Sequence, residues 1–362
     1  MSIEIAAIGN EVLRGMVVNT NGAYLGRRLD EEGWAISRQT ILPDERASLI
    51  EGLDEAMRRS SIVVATGGIG PTLDDITHEC ASTLFSVPGV PLKNPIGSAQ
   101  GYCFKEGSKL LFLLPGVPQE MEAMFEQEVL PLLPFQKKGH RLTLHFSMLR
   151  ENEVDPFLRD MKVEAGIYPS YGSLTVVLRG FDLKELEKGK EKLKKEFSAH
   201  YYESSSGTLE EAIQEWMIKN KKTLACAESC TGGFLSSQLT AIPGASNYFL
   251  GSIISYSNSL KSQLLHVSPA ILTSKGAVSA ETVHEMWKGV LQATGADFGV
   301  AVSGIAGPTG GTAEKPVGTV FYAIGFKGTA PEVGTLHFKG PRHLVILRTT
   351  RRLLSLIWNQ LH

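Results

Sequence analysis

Ala227-Glu228-Ser229-Cys230-Thr231-Gly232-Gly233 decides how this chain is read. A β-like run at 223–227 leads into it and a helix-like run at 234–240 follows, so the segment is a strand-to-helix turn. At such a turn the first N–H groups of the helix point outward, and two glycines let a ligand approach the backbone. Ser229 or Cys230 there is a candidate nucleophile, with those N–H groups as donors to its oxyanion. The competing reading is a tight turn whose glycines serve packing. The segment alone does not separate the two.

The surrounding block, 207–362, alternates strand and helix signals. Strands are expected at 223–227, 252–256, 299–303, 318–326 and 334–338, and helices at 280–294 and 344–358. Thr208 opens the first helix, with Glu211 three residues on as a capping box. Three loops accompany the Ser229 turn: Ser255-Tyr256-Ser257-Asn258-Ser259-Leu260-Lys261, Ser303-Gly304-Ile305-Ala306-Gly307-Pro308-Thr309-Gly310-Gly311, and Lys339-Gly340-Pro341-Arg342. Ligands of open α/β sheets bind beyond the carboxyl ends of the strands, where such loops gather. A serine nucleophile needs a base. His266, His284, His337 and His343 stand outside loops of this kind, whereas Lys261 stands in one. A partly desolvated lysine has a lowered pKa and takes the serine proton. The glycine-rich loops and Arg342 suit a phosphate. Read bare, Lys261 is better taken as an exposed helix-start lysine and Cys230 as a packed small residue, and Glu228 is equally a buried partner of backbone or lysine groups. Tyr256 is equally core, and Arg342 equally the partner of a carboxylate.

The first part, 1–135, carries the same alternation. Strands are expected at 3–8, 34–41, 62–65 and 110–114. Helices are expected at 20–32, capped by Thr20 and stopped by Gly33, and at 45–59 and 119–129. The fold class is therefore α/β, with a mostly parallel sheet covered by helices. Thr66-Gly67-Gly68-Ile69-Gly70-Pro71-Thr72-Leu73-Asp74-Asp75-Ile76-Thr77 follows a strand and opens a helix. Glycines at a helix N-terminus suit a phosphate, and the adjacent carboxylates suit a divalent cation bridging it. The competing reading is an aspartate pair that caps a helix. Gly9-Asn10-Glu11, Asn19-Thr20-Asn21, Asn94-Pro95-Ile96-Gly97 and the loop at 114–121 add polar groups.

Pro131, Pro134 and Gln136-Lys137-Lys138-Gly139 mark a boundary. A small α+β unit follows, 139–202, with strands at 142–147 and 174–179 and helices at 154–161 and 183–197. The last helix interleaves Glu and Lys, the pattern of a solvated face. Ser204-Ser205-Ser206-Gly207 is the next linker.

A chain of 362 residues exceeds one ordinary core, so two or three domains are expected. The formal charge of −2 excludes an overall basic field for nucleic acid or an anionic membrane. Cys80, Cys103, Cys226 and Cys230 make no C-x-x-C pair, and Cys226 and Cys230 have no nearby His partners, which argues against zinc or a disulfide framework and for a reducing, cytoplasmic setting. The chain opens directly as a strand, without a signal peptide, and has no bilayer-spanning apolar run.

The segments AESCTGG, IPGAS at 242–246, YSNSLK, GAVS at 276–279, SGIAGPTGG and KPVGTV at 315–320 resemble the carboxy-terminal domain of the CinA family, over nearly all of 208–361. That resemblance implies a PncC-like amidohydrolase that converts nicotinamide mononucleotide to nicotinate mononucleotide and ammonia. It implies Ser229 as nucleophile and Lys261 as general base, without a cofactor. Tyr256, Asn258 and Ser303 fall in substrate-lining motifs. Thr231, Gly232, Gly233, Gly304 and Gly307 suit backbone contacts to oxyanion and phosphate, with Glu228 and Arg342 beside them. The family often has Thr where Ser303 stands.

The segments of 1–135 resemble the amino-terminal half of the same family, a MoaB/MogA-like three-layer α/β domain. The resemblance implies ADP-ribose pyrophosphatase activity with a divalent metal (Mg, Mn or Co). Asp75 is the leading catalytic and metal candidate, with Asp74 and Asp44 as further ligands. Asn19, Gly67, Gly68 and Gly70 are implied substrate contacts, and Glu11 and Glu120 are weaker candidates. Only residues 86–93 separate the helix after GGIGPTLDD from the NPIG loop, where family members carry several dozen more, and AQG at 99–101 replaces their APG. The middle unit resembles the family's KH-type module but lacks a G-x-x-G loop, so it is expected to be a spacer or oligomerisation element. The implied partners are small nucleotides, without nucleic acid or membrane, in a homodimer. The rival functions are a non-catalytic nucleotide-binding interaction protein linked to competence or DNA damage, and a molybdopterin-binding enzyme.

Overall fold

The computed structural model describes residues 2–72, 75–134 and 139–362. The chain forms two compact units, Met1–Gly139 and His140–His362. Leu73, Asp74 and much of the expected boundary, Gln136-Lys137-Lys138, lie outside the described residues.

The first unit runs β1 (Ser2–Ile8), α1 (Asn10–Leu13), α2 (Thr20–Glu31), β2 (Ala35–Leu42), α3 (Arg46–Arg59), β3 (Ile62–Thr66), α4 (Thr77–Ser82), β4 (Val90–Leu92), β5 (Gly101–Glu106), β6 (Lys109–Leu114) and α5 (Pro118–Met124). Among the described residues its strands form one sheet in the order β2-β1-β3-β6-β5-β4. The first four are parallel, and β5 and β4 pair antiparallel at the edge. Parallel strands covered on both faces read as continuous apolar runs, which is why β1 and β3 were legible. Ile5, Leu25, Phe112 and Phe125 fill one face, and Leu49, Leu53, Val63 and Phe104 fill the other. Asn19, not Thr20, caps α2: its Oδ1 accepts the Gly22 N–H at 2.8 Å.

The second unit opens with β7 (His140–Ser147), α6 (Glu151–Arg159), β8 (Glu164–Ser170), β9 (Ser173–Gly180), α7 (Leu183–Glu196) and β10 (Tyr201–Tyr202). These strands form an antiparallel sheet in the order β10-β7-β9-β8. A β-α-β-β-α-β chain path is the ferredoxin-like split β-α-β arrangement. It replaces the KH-type module expected from the resemblance. The unread strands were β8, whose Gly166 and Pro169 interrupt its pattern, and the two-residue β10.

The chain continues through α8 (Leu209–Lys219), β11 (Leu224–Glu228), α9 (Phe234–Thr240), β12 (Phe249–Ile254), α10 (Asn258–Leu265), α11 (Pro269–Ser274), α12 (Ala280–Thr294), β13 (Phe298–Gly304), β14 (Thr319–Phe326), β15 (Glu332–His337) and α13 (Arg342–Leu361). The sheet order is β12-β11-β13-β14-β15, with β12, β11 and β13 parallel. Helices cover both faces. Ile213, Leu239, Val300 and Leu353 pack on one side, and Ala225, Val283, Trp287 and Ala301 on the other. The expected capping box at α8 does not form. The Thr208 hydroxyl pairs with that of Ser206 at 2.8 Å, and Glu211 accepts the Ser206 N–H. The Trp358 Nε1–H donates to Tyr201 O at 2.9 Å and fastens the β7–β10 module to α13.

All four cysteines are buried free thiols. Among the described residues, no helix is long and apolar enough to cross a membrane.

Gly289 shows how tightly α12 meets α10. A Cβ there would lie 2.1 Å from the Leu265 carbonyl oxygen. Helix propensity alone favours Gly289→Ala by about 1 kcal/mol. We expect the opposite sign, a loss of about 1–3 kcal/mol in urea unfolding, because the backbone of α10 has to move.

Candidate active site

β11 delivers Glu228 to the carboxyl edge of the sheet, and the chain turns at once. The Gly232 N–H donates to Ser229 O at 3.1 Å, with Gly232 at φ 59° and Gly233 at φ 95°. These left-handed angles are what the two glycines supply.

Glu228 organises the turn from beneath. It is 0% exposed. Its carboxylate accepts the Gly233, Leu235 and Ser236 N–H groups at 3.0, 3.2 and 3.0 Å. It also accepts the hydroxyls of Thr231 at 2.7 Å, Ser252 at 3.3 Å, and Ser236. A negative charge at the N-terminus of α9 engages donors that would otherwise lack partners. This corrects the expectation that Glu228 and Thr231 contact substrate, since both are buried and bonded to each other. It also removes the Gly233 N–H, which donates inward, from the candidate oxyanion donors.

Lys261 enters from the first turns of α10, whose N-terminus is capped by Ser257. Its Nζ donates to Ser229 Oγ at 2.9 Å and to Ser255 O at 2.6 Å. Lys261 is 1% exposed and Ser229 8%. Burial pulls the lysine pKa below its ordinary value. When deprotonated, the amine offers a lone pair for the serine proton and an N–H for the Ser255 carbonyl. The reading of Lys261 as an exposed helix-start residue is therefore set aside. Cys230 is buried too, and desolvation pushes its thiol up to about 12, so it stays protonated at neutral pH. Ser229 is the nucleophile this geometry favours.

The rim comes from three loops joined by one guanidinium. Arg342 donates to Gly307 O at 2.9 Å and to the Tyr256 hydroxyl at 2.6 Å. Tyr256 is 57% exposed, not core, and Asn258 is exposed at the start of α10. Arg342 pairs with a carbonyl and a phenol, not with a carboxylate. Ser303 is buried and donates to Ala277 O at 2.7 Å, so its hydroxyl ties the loop after β13 to the segment before α12. That is a correction to its expected place on the substrate surface. Gly304 ends β13, and Gly307 lies buried behind the rim. The carbonyls of Ser255 and Ala277, which carry no side-chain signal, were invisible to sequence reading.

In the first unit the polar residues form caps and ties. Asp75 Oδ2 accepts the Thr72 N–H at 2.8 Å and the Thr72 hydroxyl at 2.6 Å. Burial pushes the Asp75 carboxyl up, but these bonds outweigh it and hold the pKa below the usual value. Asp44 accepts the Asn10 N–H at 2.8 Å, and Glu120 accepts the Asn94 amide at 2.6 Å. Asn19 caps α2. Gly67 lies against β1, where a Cβ would meet Ile8 O at 2.1 Å; one at Gly68 would meet the Thr77 hydroxyl, and one at Gly70 the Asp75 carboxylate. These glycines serve close packing. Among the described residues, no three of His, Cys, Asp and Glu stand together as a ligand set. Asp74, an expected ligand, lies outside the described residues. Sequence reading did not single out the pairing of Asn21 with Thr66. The Asn21 amide donates to Thr66 Oγ1 and Gly116 O, both at 2.9 Å. Glu11, Asn19, Asn21 and Thr66 line a cavity of about 110 Å³ at the carboxyl ends of β1 and β3. β1 and β3 lie where the strand order reverses, the usual ligand position in such sheets.

Residues 206–361 match the family profile described as "CinA C-terminal domain", and residues 4–134 match "Probable molybdopterin binding domain". A CinA-like protein of Endomicrobium trichonymphae is 35% identical over 424 aligned positions, covering 100% of this chain and 99% of the relative. A CinA-like protein of Dictyoglomus thermophilum is 33% identical over 405, covering 99% and 98%. Both alignments exceed the 362 residues of this chain, so the relatives carry insertions relative to it. A crystal structure of a competence-damaged protein (CinA) superfamily protein from Klebsiella pneumoniae is 33% identical, covers 42% of this chain and 95% of its own, and has a TM-score of 0.41. With relatives of this identity aligned end to end, the chain belongs to the CinA family and joins a MoaB/MogA-like domain to a CinA carboxy-terminal domain.

Proposed function

We propose that this protein hydrolyses the carboxamide of nicotinamide mononucleotide, giving nicotinate mononucleotide and ammonia through an acyl-enzyme on Ser229. The observation that carries this reading is the 2.9 Å contact between Ser229 Oγ and a buried Lys261 Nζ. Ser229 Oγ attacks the amide carbon and its proton passes to Lys261 Nζ. The tetrahedral oxyanion faces the amides of Cys230 and Thr231, which follow the nucleophile in the turn. As the C–N bond breaks, the Lys261 ammonium returns its proton to the departing nitrogen and ammonia leaves. Water then attacks the ester, Lys261 takes a proton from it, and Ser229 is restored as the acid departs. Arg342, on the exposed rim, is the candidate for the phosphate. Membership of the CinA family and the resemblance of this domain to PncC-like amidohydrolases support the choice of substrate.

For the first unit we propose an ADP-ribose pyrophosphatase activity. The support is its MoaB/MogA-like domain and the polar cavity where its strand order reverses. Asp75→Ala tests it: we expect loss of ADP-ribose cleavage assayed with Mg, Mn or Co, and unchanged ammonia release from nicotinamide mononucleotide. Cleavage retained in the variant would remove Asp75 from the reaction.

Ser229→Ala and Lys261→Ala should each lower ammonia release by about 10³-fold or more. Near-normal turnover in Ser229→Ala would defeat the serine assignment, and Cys230→Ser should stay active and insensitive to thiol reagents. The base acts only when unprotonated. Activity should therefore rise with pH through the lowered Lys261 pKa, with the midpoint below the ordinary lysine value of 10.5. Lys261→Arg, protonated at every accessible pH, should be inactive across that range.

Glu228→Gln keeps the shape but turns one acceptor oxygen into an amide that faces donors. We expect a loss of about 1–3 kcal/mol in urea unfolding, with a fall in kcat that exceeds any rise in KM. An active variant of unchanged stability would show that the carboxylate charge is dispensable.

A further inference from the structure

We propose that the second unit holds a site for a phosphorylated nucleotide, separate from the Ser229 pocket, in the cleft between the β7–β10 module and α13. The cleft measures about 570 Å³ and is lined by Arg150, Tyr171, Phe338, Arg348 and Arg351, with Glu151 at one side. That volume falls within the range of small-molecule sites, about 300–1,000 Å³, and junctions between domains are where such sites concentrate.

The lining carries the chemistry that recognises a nucleotide. Guanidinium groups take phosphate oxygens in pairs. Arg351 is partly committed, because it bonds Glu210. Arg348 meets a neutral partner instead, donating to Lys339 O. Arg150 stands exposed at the start of α6. Tyr171 is 55% exposed at the tip of the β8–β9 hairpin, and Phe338, which packs on the core of the α13 side, also lines the cleft. An exposed aromatic ring beside arginines is more than an inorganic anion needs, and it suits a base. The glutamates interleaved with lysines along α7 disfavour a nucleic-acid strand.

The backbone holds this shape at a cost. Met148, a cleft residue with a long side chain, sits at φ 55°, and its N–H donates to Gly172 O at 2.9 Å. Gly172 sits at φ 77° with its missing Cβ position 2.6 Å from Arg351 Cβ. A left-handed methionine is uncommon and gathers at functional sites. Here its N–H holds the Tyr171-Gly172 turn, which lies close to Arg351.

The cleft is also wired to the amidase rim. Lys339, which accepts from Arg348, is three residues before Arg342, which holds Gly307 and Tyr256. A phosphate that draws Arg348 away from Lys339 O releases the segment that positions Arg342. This coupling rests on the amidase reading, whereas the site itself does not.

The test is calorimetric titration of the full chain with ADP, with adenosine and pyrophosphate as its parts. ADP should bind more tightly than either part. Arg150→Ala combined with Arg348→Ala should weaken one ADP site by at least tenfold or remove it from the stoichiometry, and Tyr171→Ala should weaken the same site. Absence of ADP binding, or binding unaltered in both variants, overturns the site; unaltered binding would assign ADP to the first unit alone. Saturating ADP should shift the KM for nicotinamide mononucleotide in the wild type and not in Arg348→Ala. A wild-type KM indifferent to ADP overturns the coupling and leaves the binding result to stand on its own titration.

Discussion

Lys261 is buried in contact with a serine hydroxyl and a backbone carbonyl, and the nearby buried carboxylate makes its bonds elsewhere. The proposed chemistry depends on that separation. A carboxylate 4 Å from the amine would favour the ammonium by about 4 kcal/mol at an effective dielectric of 20, or about three pKa units. The base would then hold its proton more tightly. Glu228, immediately before the nucleophile, avoids this by bonding three backbone N–H groups and three hydroxyls. Its oxygens are engaged at the N-terminus of α9, while burial lowers the pKa of the lysine.

The sheet supplies the convergence. Parallel β11, β12 and β13 end on one edge, so the residues that follow them share a pocket although they are far apart in sequence. β11 leads to Ser229, β12 to Lys261, and β13 to the glycine-rich loop that Ser303 ties to Ala277. The close approach at Gly289 seats α10 against α12 and so fixes where the Lys261 stem begins. Arg342 then joins three loops across the mouth.

Strand-to-helix punctuation and apolar runs made the two α/β sheets legible, and α9 and α12 fall where periodicity and capping place them. The short edge strands β4 and β5 were not legible, since a proline or glycine weakens their pattern and pairing with β6 defines them. The β7–β10 module was misread because β8 hides its signal behind Gly166 and Pro169. At the site, side-chain type pointed to Ser229 and Lys261 but could not distinguish surface from interior. Glu228, Thr231 and Ser303 are polar residues in the right segments, yet they face inward to build the turn. Their roles are set by burial and by backbone partners, which a linear pattern does not record.

The most direct test of the central claim is the ionisation of one group. Nitrogen-15 NMR of the Lys261 Nζ in selectively labelled protein, assigned by its loss in Lys261→Arg, measures its pKa without requiring turnover. The account requires a titration clearly below 10.5, the ordinary lysine value. A Lys261 ammonium that titrates at or above that value would contradict it.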